Sequence, residues 1–293
     1  MKKTAPMSLH QLKKVPAKSA QKSQKTTLFE PIVQLYPVEN IQFLLFNGPD
    51  MISAHLRTGK YWEHFLIQIL QHFLGRMQKP VFVDIGANLG SISIPIGKFI
   101  QPKQGKVISF EAQRGVFYQL CGNIFANNLV NTCTAYNIAI GHIESEIDIP
   151  ILDLSHETNV GSLSLDAEIR KEQSLLSTTV DQFEKVSLKT IDSLNLPHAS
   201  LIKIDVEGLE LEVLQGAKNW IESSNYPPIF FEVWGDYMKN QISKREMLMD
   251  FVCNTLGYET ILQGELCIAQ HPSNKYVEIT LAENNSLSMK FLK

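Results

Sequence analysis

Four apolar stretches of the chain each carry an acidic residue at or near their end, and these four carboxylates are the first candidates for chemistry. Asp84 lies in VFVDI, Glu111 ends KVISFE, Asp205 follows LIKI, and Glu232 lies in PPIFFEVW. Each stretch has the continuous apolar character of a strand that is buried on both faces of a parallel sheet. Because parallel strands end at the same edge of a sheet, we expect the four carboxylates to gather on one rim. Such a rim favours a cationic or hydroxyl-rich ligand.

The first of these strands runs into a glycine-containing turn, DIGANLG. The dinucleotide-binding fingerprint Gly-x-Gly-x-x-Gly is absent, because Asn88 stands at the second glycine and Ser91 at the third. Asp84 would also repel a pyrophosphate. S-adenosylmethionine instead carries a sulfonium, an ammonium group and a ribose diol. The turn therefore favours this cofactor, with Gly86 and Gly90 letting the backbone approach its methionine part.

Glu111 is the candidate for the ribose of such a cofactor. It lies 21 residues after Gly90, close to the offset of about 20 residues at which a carboxylate meets a ribose hydroxyl pair. Two simpler interpretations stay open. Glu111 could cap the helix that follows it, and the two turn glycines could serve only a tight strand-to-helix connection.

Helical and strand-like segments alternate along most of the chain, which predicts an α/β, doubly wound, Rossmann-like sheet. Residues 258–263 and 275–283 are predicted to form a closing antiparallel pair. The predicted helices are 59–77, 91–100, 116–128, 208–224 and 244–257, and the predicted core strands are 81–85, 106–111, 134–141, 201–206 and 227–234.

The motifs DIGANLGSISIPIGK, VISFEAQ, NIAIG, KTIDSL, LIKIDVEGLELEVLQGA and PPIFFEVW follow one another in this order. Together they resemble the FkbM family of S-adenosylmethionine-dependent methyltransferases, from about Trp62 to about Trp234. The resemblance implies a class I methyltransferase fold, with a seven-stranded, mostly parallel sheet whose last strand is antiparallel. It also implies methyl transfer to a hydroxyl oxygen of a sugar or small natural product.

The resemblance further implies which residues bind S-adenosylmethionine. Glu111 would hold the ribose, and Ala139 would lie beside the adenine. Ala112 and Gln113 depart from the family pattern, which more often has a proline and another polar residue there. The methionine part would be held by the turn residues Asp84, Gly86, Ala87, Asn88 and Gly90.

Transfer to a hydroxyl also requires a group that accepts the hydroxyl proton, and a positioned carboxylate can do this. Asp205 is the predicted catalytic base because it ends the fourth core strand, and Glu207 is the reserve candidate. His156 or His198 would reach the site only if their loops folded over it. Lys203 would be a buried cation, so it needs a carboxylate partner, either Asp205 or one on a neighbouring strand.

Several alternatives remain open at this point. A divalent metal bridged by Asp205, Glu207 and Glu232 is conceivable, but clustered carboxylates are common without metal, so we predict no metal. Glu63 could reach the methionine end of the cofactor or remain a solvated surface charge. The function classes still open are an O-methyltransferase, a nicotinamide-dependent oxidoreductase, and a methyltransferase-shaped binding module without chemistry.

The charge distribution divides the chain. Residues 1–29 contain seven lysines and no acidic residue, so the net charge of −3 for the whole chain leaves −10 for the rest. We predict a basic disordered arm at 1–29, an N-terminal extension with a helix packed on the core at 30–78, and a methyltransferase domain at 79–293. Residues 145–190 are expected to form an inserted hairpin and loop. The acidic body argues against a nucleic-acid partner and leaves a small molecule or glycan as the expected acceptor.

Two further features bear on the compartment. No run of about 18 apolar residues is present, so no membrane span is expected. The four cysteines, Cys121, Cys133, Cys253 and Cys267, are widely spaced and form no Cys-x-x-Cys pair. Isolated cysteines are typical of a reduced compartment, so we expect a cytoplasmic protein.

Overall fold

The computed structural model describes residues 33–152, 161, 163–166, 168–170, 182–282 and 287–292. The predicted arm at 1–29 and His156 lie outside these residues. The strands are β1 Val33–Val38, β2 Ile41–Phe46, β3 Val81–Ile85, β4 Lys106–Phe110, β5 Cys133–Tyr136, β6 Ala139–Ile140, β7 Ser145–Pro150, β8 Phe183–Lys189, β9 Leu201–Ile204, β10 Ile229–Glu232, β11 Glu259–Gln263, β12 Leu266–Gln270, β13 Val277–Leu281 and β14 Leu287–Phe291. The α-helices with described bounds are α1 Met51–Leu56, α2 His64–Leu74, α3 Ser93–Ile100, α4 Arg114–Ala126, α5 Glu210–Gln215, α6 Lys218–Ser223 and α7 Ile242–Asp250.

Seven strands form the central sheet in the order β11-β12-β10-β9-β3-β4-β5. Neighbouring strands from β10 to β5 are parallel, whereas β12 is antiparallel to both of its neighbours. The last strand of the sheet in chain order is therefore the antiparallel one. The predicted α/β, doubly wound, mostly parallel sheet with an antiparallel last strand is confirmed.

Both faces of this sheet are covered, which explains why its strands are apolar without alternation. On β3, Phe82 belongs to the apolar cluster formed with helices α2, α3 and α4. Its neighbours Val83 and Ile85 point the other way, into the cluster formed with α5, α6 and α7. Successive side chains of a strand point to opposite faces, so two buried faces require an apolar residue at every position.

The predicted third strand, 134–141, is divided between two sheets. Its first part is β5 in the central sheet, and its second part is β6, which pairs with β8 in a three-stranded sheet. The side chain of Asn137 lies at the division and donates hydrogen bonds of 2.9 Å to the carbonyl oxygens of Glu111 and Ala112. These bonds hold the chain where β5 ends.

Within residues 145–190, β7 pairs with β8 in antiparallel orientation. The predicted antiparallel pairing of residues 258–263 with residues 275–283 is wrong. β11 pairs with β12 through a tight turn at Gly264, whose φ is +60°, and β13 pairs with β14. A two-residue turn brings adjacent strands together before a more distant segment can compete.

Helices 208–224 and 59–77 are shorter than predicted. The first divides into α5 and α6 near Gly216, which lies so close to the carbonyl oxygen of Gly141 that a side chain there would overlap it. The second begins only at His64, because Glu63 adopts a left-handed conformation with φ 51°. Phe65, in the first turn of α2, is exposed.

The hairpin β1–β2 is absent from the sequence-based prediction. Side-chain amides of helix α4 satisfy the backbone of β2. Asn123 accepts a hydrogen bond from the backbone N–H of Leu44, and Asn127 accepts one from that of Gln42. Gln119 donates a 2.8 Å hydrogen bond to the carbonyl oxygen of Leu44. These amides are buried because they replace the strand neighbour that β2 lacks on that side.

Candidate active site

A cleft opens at the carboxyl ends of β3, β4, β9 and β10. Its volume is about 1230 Å³, which includes space that is open to solvent. The chain first adds strands on one side of β3, as β4 and β5, and then on its other side, as β9 and β10. In open α/β sheets, ligands bind outside the carboxyl ends of the strands at the point where the strand order reverses. The cleft is thus the expected ligand site of this fold.

The turn after β3 forms one wall of the cleft and is held tightly against its neighbours. The backbone N–H groups of Gly86 and Ala87 donate to the carbonyl oxygen of Phe110, at 3.0 and 2.9 Å. Gly86 has φ +79°, and a Cβ at this position would overlap the carbonyl oxygen of Asp205. Asn88 follows in a left-handed conformation, with φ 51°. Only glycine fits the first of these positions.

Glu111 is buried at the adjoining end of the cleft, and each of its oxygens accepts one backbone hydrogen bond. The donors are the N–H groups of Asn88 and Gln113, both at 2.8 Å. A carboxylate offers about four acceptor sites, so each oxygen retains one for a ligand. Burial raises the pKa of Glu111 to about 7, although the two backbone hydrogen bonds lower it. This geometry suits a pair of ligand hydroxyl groups.

Lys203 is the centre of the second set of contacts. The register of β3 and β9 places Lys203 directly opposite Asp84. Its Nζ lies 3.2 Å from Asp84, 3.2 Å from Asp205, and donates a 3.0 Å hydrogen bond to the carbonyl oxygen of Gly86. Burial lowers the pKa of Lys203, but the carboxylates of Asp205 and Asp84 outweigh it and raise that pKa. The predicted carboxylate partners of Lys203 are confirmed.

Asp84 does not reach the surface of the cleft. Its side chain is completely buried and accepts a 2.6 Å hydrogen bond from the hydroxyl of Ser93, besides pairing with Lys203. Through Lys203 it is connected to the carbonyl oxygen of Gly86, so its contacts lie beneath the turn. The sequence pattern suggested direct contact with a ligand, whereas the structure places Asp84 one layer below.

Four carboxylates crowd the other end of the cleft: Glu63, Asp205, Glu207 and Glu232. Carboxylate oxygens of the last three lie within 4.8 Å of one another. Burial and then the neighbouring Asp205 raise the pKa of Glu63 to about 7, even though the residue as a whole is exposed. Burial, followed by the charge of Asp205, also raises the pKa of Glu207 and that of Glu232.

Two of these carboxylates are carried by strained backbone. Glu63 has φ 51° and Glu207 has φ 55°, a left-handed conformation that is uncommon for residues other than glycine, asparagine and aspartate. Such strain costs of the order of 1–3 kcal/mol and occurs frequently at functional sites. Glu232 is held differently, by a 2.9 Å hydrogen bond from the indole N–H of Trp234.

A second cavity, of about 640 Å³ counted out to solvent, adjoins the first. Its apolar wall includes Leu66, Phe230 and Leu266, and Glu265 adds a further carboxylate. The two cavities have four lining residues in common, which are Glu63, Lys203, Asp205 and Glu232. Three of the four crowded carboxylates, all but Glu207, therefore stand between the two spaces.

The predicted site residues divide into two groups. Ala87 and Gly90 lie with Asp84 behind the cleft and support the turn. His198 precedes β9 and is therefore at the opposite end of that strand from the cleft. Six predicted residues line the cleft: Gly86, Asn88, Glu111, Ala139, Asp205 and Glu207.

Trp62 and Gln113 in the cleft and Glu265 in the second cavity are among the residues that sequence reasoning did not place there. Trp62 lines the cleft from just before helix α2, and Gln113 lines it two residues after Glu111. Glu265 reaches the second cavity from the turn between β11 and β12. The position of Gln113 two residues after Glu111, the candidate for the ribose, could have identified it as a cleft residue. No local pattern distinguishes Glu265 from an ordinary turn residue.

The strand order, the antiparallel seventh strand and the cleft at the switch point define a class I methyltransferase fold. The family model described as the methyltransferase FkbM domain matches residues 84–259. The chain belongs to this family, and S-adenosylmethionine is its cofactor. The alternative of a nicotinamide-dependent oxidoreductase is therefore wrong. No curated protein matches the chain.

Several solved structures are similar to the chain at low identity. An FkbM methyltransferase from Methylobacillus flagellatus KT is 15% identical, with a TM-score of 0.43 over 67% of this chain and 44% of that one. A precorrin-6y C5,15-methyltransferase from Geobacter metallireducens GS-15 is 12% identical, with a TM-score of 0.40 over 79% and 86%. A Pyrococcus abyssi tRNA (uracil-54, C5)-methyltransferase in complex with S-adenosyl-L-homocysteine is 8% identical, with a TM-score of 0.41 over 82% and 44%. This chain thus spans less than half the length of the first and the third.

The cleft residues fit the cofactor. Glu111 has one free acceptor site on each oxygen for the ribose diol, and Ala139 and Ile138 provide apolar surface nearby. The crowded carboxylates at the other end suit the ammonium and sulfonium charges. Within the part of the chain that the structure describes, no helix combines the length and apolar character needed to cross a bilayer.

Proposed function

We propose that the protein transfers a methyl group to a hydroxyl oxygen of a sugar or small natural product, and that the acceptor occupies the second cavity. The observation that supports this proposal is that Asp205 and Glu232 line both cavities. A carboxylate between donor and acceptor can take up the proton that a hydroxyl must lose on methylation. General-base help of this kind contributes about 10²–10⁴-fold.

In this proposal each end of the cleft has a separate task. The cofactor supplies an activated methyl group, so the protein mainly aligns the acceptor and excludes water. Glu111 orients the ribose through its free acceptor sites. Asp205 accepts the acceptor's proton on its carboxylate, and Lys203, 3.2 Å away, holds that carboxylate in place. Glu207 is the second candidate for the base.

The proposal is tested by following the labelled methyl group. The protein is incubated with methyl-labelled S-adenosylmethionine and panels of glycosides and polyols, and separately with amines and activated carbon acceptors. Nuclear magnetic resonance of the labelled methyl then identifies the atom to which it is attached. We expect an O-methyl product. A product methylated on nitrogen or carbon would contradict the proposal, and tight cofactor binding without any turnover would favour the non-catalytic binding module.

A further inference from the structure

The side-chain amide nitrogen of Gln113 makes no hydrogen bond within the described part of the protein. The residue is 7% exposed and lines the cleft. Its Nε2 is shielded from solvent and has no hydrogen-bond partner among the described residues. Leaving a buried donor unpaired costs about 1–3 kcal/mol, so a polar side chain in this situation requires an explanation.

The surroundings of Gln113 limit what could satisfy the amide. Its backbone N–H is bonded to Glu111 Oε1 at 2.8 Å, which places the residue at the end of the cleft where Glu111 lies. Gln113 does not line the second cavity, so a methyl acceptor held there is not its partner. The nearby lining from Ala112, Ile138 and Ala139 is apolar. An amide donor amid apolar walls and beside Glu111 faces the adenosine part of the cofactor.

We infer that Gln113 is a further cofactor-binding residue, whose Nε2 donates a hydrogen bond to an acceptor atom of the adenosine moiety, either a ring nitrogen of adenine or a ribose oxygen. The inference depends on the cofactor and not on the identity of the methyl acceptor. The donor that is unsatisfied in the free protein becomes satisfied when the cofactor binds.

The chain offers a matched control for this inference. Gln119 lies on helix α4, which begins directly after Gln113. It is 6% exposed and donates a hydrogen bond from its Nε2 to the carbonyl oxygen of Leu44. Removing the amide of Gln119 breaks a bond that exists in the free protein. Removing the amide of Gln113 breaks no hydrogen bond of its Nε2 with the described residues, so Gln113→Met should leave the free protein as stable as before or make it more stable. The two substitutions therefore separate a structural amide from a ligand-binding one.

The test is calorimetric titration with S-adenosylhomocysteine, combined with thermal unfolding of the free protein. We expect Gln113→Met to raise the Kd about fivefold to tenfold, the loss of one buried hydrogen bond, with no fall in the melting temperature. Gln119→Met should lower the melting temperature and leave the Kd unchanged. An unchanged Kd in Gln113→Met, or a loss of stability like that of Gln119→Met, would overturn the inference.

Cofactor analogues identify the atom that accepts the hydrogen bond. S-adenosylhomocysteine analogues that lack one adenine ring nitrogen or one ribose hydroxyl are titrated into the wild-type protein and into Gln113→Met. The analogue that lacks the accepting atom should bind both proteins equally. If every analogue still distinguishes the two proteins, no such bond exists. Since no turnover is needed, failure of the proposed O-methylation leaves this result intact, whereas wild-type protein that did not bind S-adenosylhomocysteine would refute the inference together with the cofactor.

Discussion

The two ends of the cleft hold carboxylates in different ways. At one end Glu111 has each oxygen tied to a backbone N–H group, so its orientation is set by the chain itself. At the other end Asp205, Glu207 and Glu232 crowd together, and Lys203 is the only lysine or arginine among the described residues that line the cleft. At both ends burial is the main cause of the raised carboxyl pKa values. The charge of Asp84 adds to it for Glu111, whereas the charges of Asp205, Glu232 and Glu210 add to it for Glu207.

This difference indicates how the ends divide their tasks. A carboxylate fixed by backbone donors presents its remaining acceptor sites in one orientation, which suits ligand binding. Burial and neighbouring charges raise the pKa of Glu207 and that of Glu232, so these carboxylates bind protons more readily near neutral pH, which suits proton transfer. Substitutions at each end of the cleft, and removal of metal, test this division.

Asp205→Asn should lower the single-turnover rate of methyl transfer by about 10²–10⁴-fold and leave the affinity for S-adenosylhomocysteine nearly unchanged. The protein should stay folded, because Lys203 keeps its pair with Asp84 at 3.2 Å and its bond to the carbonyl oxygen of Gly86. Asp236→Asn, which removes an exposed carboxylate paired with Arg245, is the control. A folded Asp205→Asn protein that methylates at the wild-type rate would transfer the proposed role to Glu207.

Lys203→Met should lower the free energy of unfolding by about 3–5 kcal/mol, because it leaves the buried charge of Asp84 without its cation. Urea denaturation measures the loss. The double substitution Lys203→Met with Asp84→Asn should recover part of the stability, since the uncompensated charge is then removed. If the single substitution is neutral, or the second one adds to the damage, the pair does not hold the turn as described.

Gly86→Ala should destabilise the protein by about 3 kcal/mol or more, since the left-handed φ and the overlap with the Asp205 carbonyl act together. Gly264→Ala is the matched control, because its φ is +60° but nothing lies within 4 Å of the added Cβ. The control should lose only about 1–2 kcal/mol from its backbone conformation. Equal losses in the two proteins would show that the contact between turn and strand end is unimportant.

Glu111 provides a test by pH. Burial raises its folded pKa from 4.5 to about 7, so its protonated form is favoured by folding. Its contribution to stability is fully present below pH 4.5 and is lost as the pH rises through about 7. We expect the stability of the wild-type protein relative to Glu111→Gln to decline across that window when urea denaturation is repeated at several pH values. Parallel stability curves for the two proteins would contradict this.

The smallest expected effect is that of metal removal. Asp205, Glu207 and Glu232 have the spacing of a metal site, but we propose that these carboxylates work without a metal. Turnover should therefore be unchanged after dialysis against a chelator and after addition of magnesium or manganese. A loss on chelation that magnesium restores would instead make the crowded end a metal site.

Much of this architecture follows from local sequence. VFVDI and LIKI are apolar at nearly every position because each is covered on both faces, so their identity as core strands could be inferred before their neighbours were known. The turn DIGANLG was likewise informative, because glycine at residue 86 is required by a backbone position with φ +79°. The strands at 33–38 and 41–46 escaped notice because hairpin β1–β2 is stabilised by amides of a distant helix.

Other features depend on contacts between distant residues, and no local pattern specifies them. The sequence pattern predicted that Asp84 contacts a ligand, but the register of β3 and β9 places Lys203 opposite it. That register is decided by packing across the whole sheet, because a slip of one residue would exchange the two faces of the strand. Whether the Nε2 of Gln113 finds a hydrogen-bond partner is likewise decided by the folded chain, and among the described residues it finds none. Sequence alone therefore determined the sheet, its turn and its family, whereas tertiary packing decided which carboxylates are paired, which are crowded, and which reach the cleft.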